Sequence, residues 1–231
     1  MNGTVSENLM NVMERIKRAA RKAGREPSEV TLVVAAKSVE IKRLKEAVSG
    51  GVRAIGDNYV QEAAEKIKKI KDSSVKWHLI GHLQRNKVGR ALDMFDIIQS
   101  VDSERLVKEI AARASKPVPI LVEVNTSGET AKFGFEPDKA IDFVIVASRL
   151  ENIKILGLMT VGPLTDNQEK IRQSFRKIKQ LSEAISKLHL PGVEMKFLSM
   201  GMSADFEIAL EEGSNMIRLG QAIFGRRLKN G

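Results

Sequence analysis

The stretch VTLVVAAK, residues 30–37, is a nearly unbroken run of apolar residues, many of them β-branched, that ends in a lysine. A run of this kind is typical of a strand that helices cover on both faces. Similar short runs recur along the chain, and the sequence predicts eight strands, at residues 30–36, 52–56, 76–81, 95–99, 119–125, 153–159, 195–199 and 216–220.

Amphipathic segments alternate with these strands. They predict helices at residues 41–48, 60–70, 86–92, 103–114, 136–150, 167–188 and 203–212. Ser103 and Ser203 are the predicted N-cap residues, with Glu104 and Asp205 in the first helical turns. One further helix, at residues 5–23, precedes the first strand, and a short one follows the last strand.

Eight alternating βα units predict a parallel sheet that closes on itself. We therefore expect an α/β fold, a single (β/α)8 TIM barrel with an extra N-terminal helix, in which residues 1–231 form one domain. The alternative is an open doubly wound sheet. It is the weaker hypothesis, because no G-x-G-x-x-G motif follows the first strand.

The composition excludes several classes of protein. Hydrophobic residues make up 42% of the 231, which is enough to form a core. The absence of cysteine excludes disulfides, zinc fingers and cysteine nucleophiles. The paired histidines, His78 and His82, have no acidic residue near them, so no metal site is predicted. No segment resembles a signal peptide or a membrane span, and we expect a soluble cytoplasmic protein.

The chain is basic, with 38 Lys and Arg against 29 Asp and Glu and a formal net charge of +9. Such an excess is compatible with anionic ligands, nucleic acid or a membrane surface. The basic residues are spread along the chain, as on solvated helix faces. Aromatic residues are only 4%, and no basic and aromatic cluster is present, so the sequence does not predict nucleic-acid binding.

Candidate functional residues lie where the predicted strands end, because barrels of this kind build their active sites at the C-terminal ends of the strands. The last two strands lead into SMGMS, residues 199–203, and RLGQAIFG, residues 218–225. Small residues let backbone N–H groups approach an anion, and these two loops are the usual phosphate site of this fold.

Lys37 is a second candidate, because it ends the first strand, which a closed barrel places beside the eighth. A lysine among apolar residues can act as an amine nucleophile. An amine next to a phosphate site suits a phosphorylated aldehyde or ketone held as a Schiff base. Pyridoxal 5'-phosphate (PLP) and a sugar phosphate are both candidates on these grounds.

Seven stretches together carry a resemblance to a known family. They are VAAK at 34–37, GDNYVQE at 56–62, WHLIGHLQRNK at 77–87, VNTSGETAKFGF at 124–135, GLMT at 157–160, LSMGMSADFEIAL at 198–210 and IRLGQAIFG at 217–225. Over almost its whole length the chain resembles the pyridoxal phosphate homeostasis protein family. This family is also known as the PLP-binding or proline-synthetase co-transcribed family.

The resemblance implies a barrel similar to the N-terminal domain of alanine racemase, which is fold type III among PLP proteins. It implies PLP bound as a Schiff base to Lys37, with Asn58 near the ring. It also implies that the loops at 199–203 and 218–221 hold the phosphate, the candidate residues being Ser199, Gly201, Met202, Ser203, Arg218, Gly220 and Gln221. Gln221 stands where the family commonly has threonine, so the contribution of its side chain is an open question.

The same resemblance implies a carrier and regulator of intracellular PLP (vitamin B6) and amino-acid levels, with no established catalytic residues and no established turnover. The alternative is a racemase-like PLP-dependent amino-acid enzyme with low or unidentified activity. The expected partners are PLP and PLP-dependent apoenzymes, with neither nucleic acid nor membrane, and we expect a monomer. PLP is the only expected cofactor.

Overall fold

The computed structural model of the chain describes residues 3–129 and 132–225. Eight parallel strands form a closed barrel in the order in which they occur in the chain. The predicted barrel is therefore confirmed, and the open-sheet alternative is wrong. The strands are β1 Thr31–Ala35, β2 Ala54–Asp57, β3 Lys76–Leu79, β4 Ile97–Val101, β5 Val118–Glu123, β6 Ile153–Met159, β7 Val193–Ser199 and β8 Met216–Leu219.

Helices connect successive strands and cover the outside of the barrel. They are α1 Val5–Lys22, α2 Ile41–Ser49, α3 Val60–Ile70, α4 Val88–Leu92, α5 Glu104–Arg113, α6 Pro137–Ala147, α7 Gln168–Ser186, α8 Phe206–Glu211 and α9 Gln221–Phe224. Two single 3-10 turns, Pro27–Glu29 and Arg85–Lys87, precede β1 and α4. Within the described residues no helix is long and apolar enough to cross a membrane.

The extra helix α1 begins with a capping box, in which the Thr4 side chain accepts from the Glu7 backbone and the Glu7 carboxylate accepts from the Thr4 backbone. Such a reciprocal cap satisfies two backbone donors at the start of the helix. The buried face of α1, which includes Leu9, Val12 and Ile16, packs against α2, α8 and α9. The predicted N-terminal helix is thus part of the outer layer.

Closure of the barrel places β1 between β2 and β8. Val34 pairs with Ile55 of β2 on one side and with Leu219 of β8 on the other. Because the strands are parallel, the segment that follows β1 lies beside the segment that follows β8. Lys37 and the predicted phosphate loops are therefore at the same end of the barrel.

The predicted helix start at Ser203 is wrong. Helix α8 begins at Phe206, with Asp205 as its N-cap, and the Ser203 hydroxyl instead accepts a hydrogen bond from the backbone of Ala222 at 3.0 Å. A serine in a loop satisfies whichever donor is nearest, and closure of the barrel brings one from the neighbouring loop. Ser103 is the N-cap of α5 as predicted, although its side chain makes no capping bond.

Candidate functional site

Lys37 lies at the barrel mouth, two residues beyond the end of β1. The preceding residue, Ala36, is fully buried, and its N–H donates to the carbonyl of Gly56 at 2.8 Å. The Lys37 side chain is half-buried, and its Nζ lies 5.0 Å from the centre of the Tyr59 ring. An amine over an aromatic face is attracted by the negative face of the ring. Lys37 is thus held at the mouth rather than extended into solvent.

A buried ion network fixes the backbone on both sides of Lys37. Lys66 Nζ donates to the Ala36 carbonyl at 2.7 Å, to Asp57 Oδ2 at 2.6 Å and to Glu62 Oε2 at 3.0 Å. The same Glu62 oxygen accepts from the backbone N–H of Ser38 at 3.1 Å. The network therefore contacts the residues that precede and follow Lys37, and it can hold the amine in one position.

The charges of this network depend on one another. Burial raises the pKa of Asp57, and the nearby Lys66 ammonium opposes that rise. For the half-exposed Glu62, burial raises the pKa, but the bonds from Ser38 and Lys66 outweigh it and lower the pKa. Sequence reasoning missed this network. The available signal was the spacing of Glu62 and Lys66, four residues apart on one helix.

The loop after β7 needs glycine at position 201. Gly201 has φ +101°, and an added Cβ would lie 2.6 Å from the Cβ of Ala209. Both the left-handed conformation and the close packing exclude a larger residue. The Gly201 carbonyl accepts from the backbone N–H of Arg218 at 2.9 Å, which connects this loop to β8.

The loops after β7 and β8 form one surface with free backbone donors. The Ser203–Ala222 hydrogen bond joins them. The backbone N–H groups of Ser203, Ala204 and Gln221 donate to none of the described residues. Free N–H groups in adjacent loops are suited to an anion. Met202, which is also a predicted contact, differs because its N–H donates to Asp205 Oδ1 at 2.5 Å.

Gly220 brings this surface close to Lys37. A Cβ added at Gly220 would lie 3.2 Å from the carbonyl oxygen of Ala35, which ends β1. The absence of a side chain therefore lets the β8 loop pack closely against the strand that carries Lys37. Gln221 follows as the first residue of α9, with an exposed side chain that makes no hydrogen bond to the described residues.

Arg218 and Ser199 lie deeper, inside the barrel. The guanidinium of Arg218 donates to Ser199 Oγ at 2.6 Å and to the Thr160 carbonyl at 2.7 Å. Burial lowers the pKa of Arg218 to about 10, although Glu123 and Asp205 act in the opposite direction. Both side chains therefore lie beneath the mouth and are not on the loop surface. The structure brings their strand ends to the site, but it directs the side chains inward.

Asn58 lines a cleft of about 450 Å³ beside Lys37. Tyr59, His82, Glu123 and Phe133 also contribute to its walls. The rings of His82 and Phe133 stack with their centres 4.2 Å apart, and His82 Nδ1 lies 2.6 Å from Asp102 Oδ2. Asp102 follows the strand next to that of His82, and this contact depends on the fold, so the sequence pattern did not show it. This cleft lies on the side of the barrel mouth that is away from the loops after β7 and β8.

Glu123 is the acidic group of this cleft. Its residue is 8% exposed, and burial, together with repulsion from Asp102, raises the pKa of its carboxyl to about 7. The charge of Arg218 lowers the pKa of Glu123, although the two side chains form no ion pair. A carboxyl with a pKa near neutrality can both accept and donate a proton. Sequence analysis did not single out Glu123, because it lies inside the predicted strand at 119–125, among apolar residues.

The described residues hold no group of three or more histidine, cysteine or acidic side chains that suits a metal ion. The mouth offers instead a lysine amine, free backbone N–H groups and a buried arginine. A phosphorylated aldehyde or ketone has the two groups that such a site can bind, the carbonyl and the phosphate. The fold and the site define a (β/α)8 barrel whose mouth places a lysine amine beside free backbone donors.

Comparison with known proteins identifies the family. Residues 8–227 match the family described as "Alanine racemase, N-terminal domain". The pyridoxal phosphate homeostasis protein of Aquifex aeolicus is 39% identical over 224 residues, which cover 96% of this chain and 97% of that protein. The chain belongs to the pyridoxal phosphate homeostasis protein family, within the alanine racemase N-terminal domain class.

Solved structures agree with this assignment. The structure of PipY from Synechococcus elongatus PCC7942 with PLP bound has a TM-score of 0.82 and 28% identity, covering 96% of this chain and 100% of that one. The crystal structure of a protein from Bifidobacterium adolescentis has a TM-score of 0.92 and 36% identity, covering 95% of this chain and 94% of that one. The barrel is thus shared over nearly the full length of each chain.

Proposed function

We propose that this chain binds PLP as a Schiff base on Lys37 and serves as a carrier and regulator of intracellular PLP and amino-acid levels. The observation that carries the proposal is the position of Lys37, half-buried at the barrel mouth and next to the joined β7 and β8 loops. The PLP-bound relative and the name of the family support the choice of PLP over a sugar phosphate.

The residues of the mouth fit PLP on structural grounds. When bound, PLP supplies an aldehyde that condenses with a lysine amine, and its phosphate needs several hydrogen-bond donors. The free N–H groups of Ser203, Ala204 and Gln221 are such donors. The close approach of Gly220 to Ala35 leaves no side chain between these donors and the strand that leads to Lys37.

Each part of the site has a separate task in this proposal. Lys37 provides the amine, and the Lys66 network holds the backbone around it. The two loops bind the phosphate through backbone donors, so the exposed Gln221 contributes its N–H and not its side chain. Asn58 contributes a polar wall beside the ring. Arg218 places a positive charge beneath the mouth and supports the loops through its bond to Gly201.

Absorption spectra during a titration with PLP test the proposal. The wild-type chain is expected to develop the visible band of lysine-bound PLP, and Lys37→Ala is expected to lose it. The matched control is Lys42→Ala, which removes an exposed lysine five positions further along the chain. That variant should titrate like the wild type.

Binding without the covalent bond should remain measurable in Lys37→Ala, because the phosphate donors are intact. Quenching of the single tryptophan by PLP, or equilibrium dialysis, provides this readout. An unchanged visible band in Lys37→Ala would contradict the proposed role of Lys37. Loss of the band in Lys42→Ala as well would show that the spectra do not report on a specific site.

A second candidate function, a slow PLP-dependent amino-acid enzyme, is favoured by Glu123. Racemisation needs a proton acceptor and donor near the substrate carbon, and Glu123 is a carboxyl with a pKa of about 7 in the adjoining cleft. Deuterium incorporation at the α-carbon of alanine in heavy water tests this candidate. Incorporation that is lost in both Lys37→Ala and Glu123→Gln would support it, and no incorporation would exclude it for alanine.

The remaining parts of the proposal concern partners and context. We propose one PLP-binding barrel domain that acts as a monomer in the cytoplasm, with PLP-dependent apoenzymes as recipients of the cofactor and no role for nucleic acid or membrane. Size-exclusion chromatography with light scattering tests the monomer. Retention of labelled DNA or RNA in a gel-shift assay at moderate salt would contradict the exclusion of nucleic acid.

A further inference from the structure

A second cavity, of about 480 Å³, opens at the end of the barrel opposite to Lys37. Its walls include the first residues of several strands, such as Thr31, Ala54, Lys76 and Met216. Leu9 and Met13 of α1 close one side. The cavity has the volume of a small-molecule site, and most of its lining is apolar.

His78 is the polar group inside this cavity, and a chain of hydrogen bonds from the other end of the barrel fixes its protonation. An arginine can only donate, so Ser199 Oγ accepts from Arg218 and gives its own proton to Gln99 Oε1 at 2.7 Å. The amide nitrogen of Gln99 then donates to His78 Nδ1 at 2.7 Å. Since Nδ1 accepts, the proton of the neutral ring must be on Nε2.

The Nε2–H group of His78 is a free donor that faces the cavity. His78 is only 3% exposed, and burial lowers its pKa to about 4, so the ring is neutral near pH 7. Nε2 makes no hydrogen bond to the described residues, and no fully buried side-chain nitrogen or oxygen among them lacks a partner. Nε2 is therefore accessible, and the cavity that His78 lines provides that access.

The rim of the cavity is positively charged. Its lining contains Arg53 and Lys76 and no acidic residue. Lys76 is paired with Asp96 at 3.0 Å, whereas the guanidinium of Arg53 bonds only to the carbonyls of Val48 and Val52 within the described chain. Arg53 thus forms no ion pair with the described residues, and Asp72, whose pKa its charge lowers, is not part of the cavity lining, so the guanidinium can still pair with an anion there.

We propose that this cavity is a second small-molecule site, for an amphipathic carboxylate that carries a neutral acceptor oxygen at its far end. The carboxylate stays at the rim beside Arg53, because burying a charge deep in the barrel is costly. The apolar body lies along Leu32, Ile97 and Phe197. The acceptor oxygen takes the hydrogen bond from His78 Nε2–H. The proposal is independent of PLP.

The test uses para-acetylphenylacetate, which has a carboxylate, a flat apolar body and a ketone at its far end. The chain has three histidines, so proton–nitrogen correlation spectra of the imidazoles resolve His78 from His82 and His189. The probe is expected to shift the Nε2 resonance of His78 in a saturable manner and to leave His189 unchanged. The absence of a His78 shift at millimolar probe would overturn the proposal.

Two matched probes separate the contribution of the ketone to binding from that of the carboxylate. In para-isopropylphenylacetate the ketone is replaced by an apolar group of similar shape, and affinity is expected to fall about tenfold because the buried donor is left unpaired. The methyl ester of the first probe lacks the charge, and we expect it to bind about two- to fivefold more weakly. Equal affinity of all three probes would overturn the assigned polar contacts.

A pair of protein variants tests the role of the Arg53 charge in binding. Arg53→Gln removes the rim charge from an exposed position, and it is expected to weaken the carboxylate probe about two- to fivefold while leaving the ester unaffected. Arg90→Gln makes the same change at an exposed arginine outside the cavity and should have no effect. Equal weakening in both variants would show a general charge effect and contradict the site.

Discussion

The ammonium of Lys66 lies 2.7 Å from the carbonyl oxygen of Ala36, the residue directly before Lys37. The same ammonium forms a buried ion pair with Asp57 at 2.6 Å. One side chain thus joins the end of β2, the helix α3 and the loop that bears the amine. We therefore expect the position of Lys37 to depend on the buried Lys66 ammonium.

Lys66→Met is expected to destabilise the protein by about 3–5 kcal/mol, because it leaves the Asp57 carboxylate buried without a partner. The double variant Asp57→Leu, Lys66→Met should regain most of this free energy of unfolding. Denaturant unfolding measures both. If the network positions Lys37, the double variant will still form the PLP band more slowly than the wild type, although it is stable. A wild-type rate would contradict the positioning role.

Gly201→Ala tests how tightly the loop after β7 is packed, and denaturant unfolding measures the change in stability. The new Cβ meets Ala209 at 2.6 Å in a left-handed conformation, and we expect a loss of about 2–4 kcal/mol of stability. Gly24→Ala is the matched control, since Gly24 also has a positive φ but has no atom within 4 Å of the added Cβ. It should cost about 1 kcal/mol. Equal costs would show that packing at Gly201 is unimportant.

Ser203→Ala removes the hydrogen bond that joins the β7 and β8 loops. We expect a modest loss of stability, about 1 kcal/mol, and weaker binding of PLP. Pyridoxal, which lacks the phosphate, should bind to wild type and variant alike, because the defect is confined to the phosphate loops. Competition dialysis with the two compounds measures the difference. An equal loss for pyridoxal would place the effect elsewhere.

Glu123 makes stability depend on pH. Its pKa is about 7 in the folded chain against an ordinary value of 4.5, so the folded state binds the proton more tightly. The resulting stabilisation is fully present below pH 4.5 and is lost as the pH rises through 7. Glu123→Gln cannot ionise. Relative to wild type, it should gain about 2–3 kcal/mol of stability between about pH 5 and about pH 8.5.

Urea unfolding of both proteins across this pH range measures the effect. A constant difference between Glu123→Gln and wild type would show that Glu123 does not titrate near neutrality. Such a result would also remove the observation that favours the enzyme as a second candidate. Glu65→Gln, at an exposed acidic residue of α3 that forms no ion pair with the described residues, is the control for the loss of one carboxyl, and the pH-dependent gain is expected only in Glu123→Gln.

The strands and helices followed from the sequence to within a few residues, because they depend on local periodicity. The helix α3 and the strand β6 have the predicted bounds, 60–70 and 153–159. The position of Lys37 beside the β8 loop was also predictable, since it requires only that the barrel be closed. These features depend on the order of elements and not on side-chain geometry.

The sequence did not predict features that depend on contacts between distant residues. Ser203 has the character of an N-cap, but the Ala222 N–H on the neighbouring loop is its partner. Glu123 has a raised pKa only because the closed barrel buries it near Asp102. Likewise, the tautomer of His78 is fixed by Gln99 and Ser199, which come from other strands.

Reduction of the PLP-treated protein with borohydride, followed by peptide mass mapping, identifies the lysine that binds PLP. The reagent converts a Schiff base into a stable pyridoxyl amine at the lysine that formed it. We predict one adduct, on Lys37, in the peptide that contains VTLVVAAK. An adduct on another lysine with Lys37 unmodified, or no adduct at saturating PLP, would show that Lys37 does not bind PLP as a Schiff base.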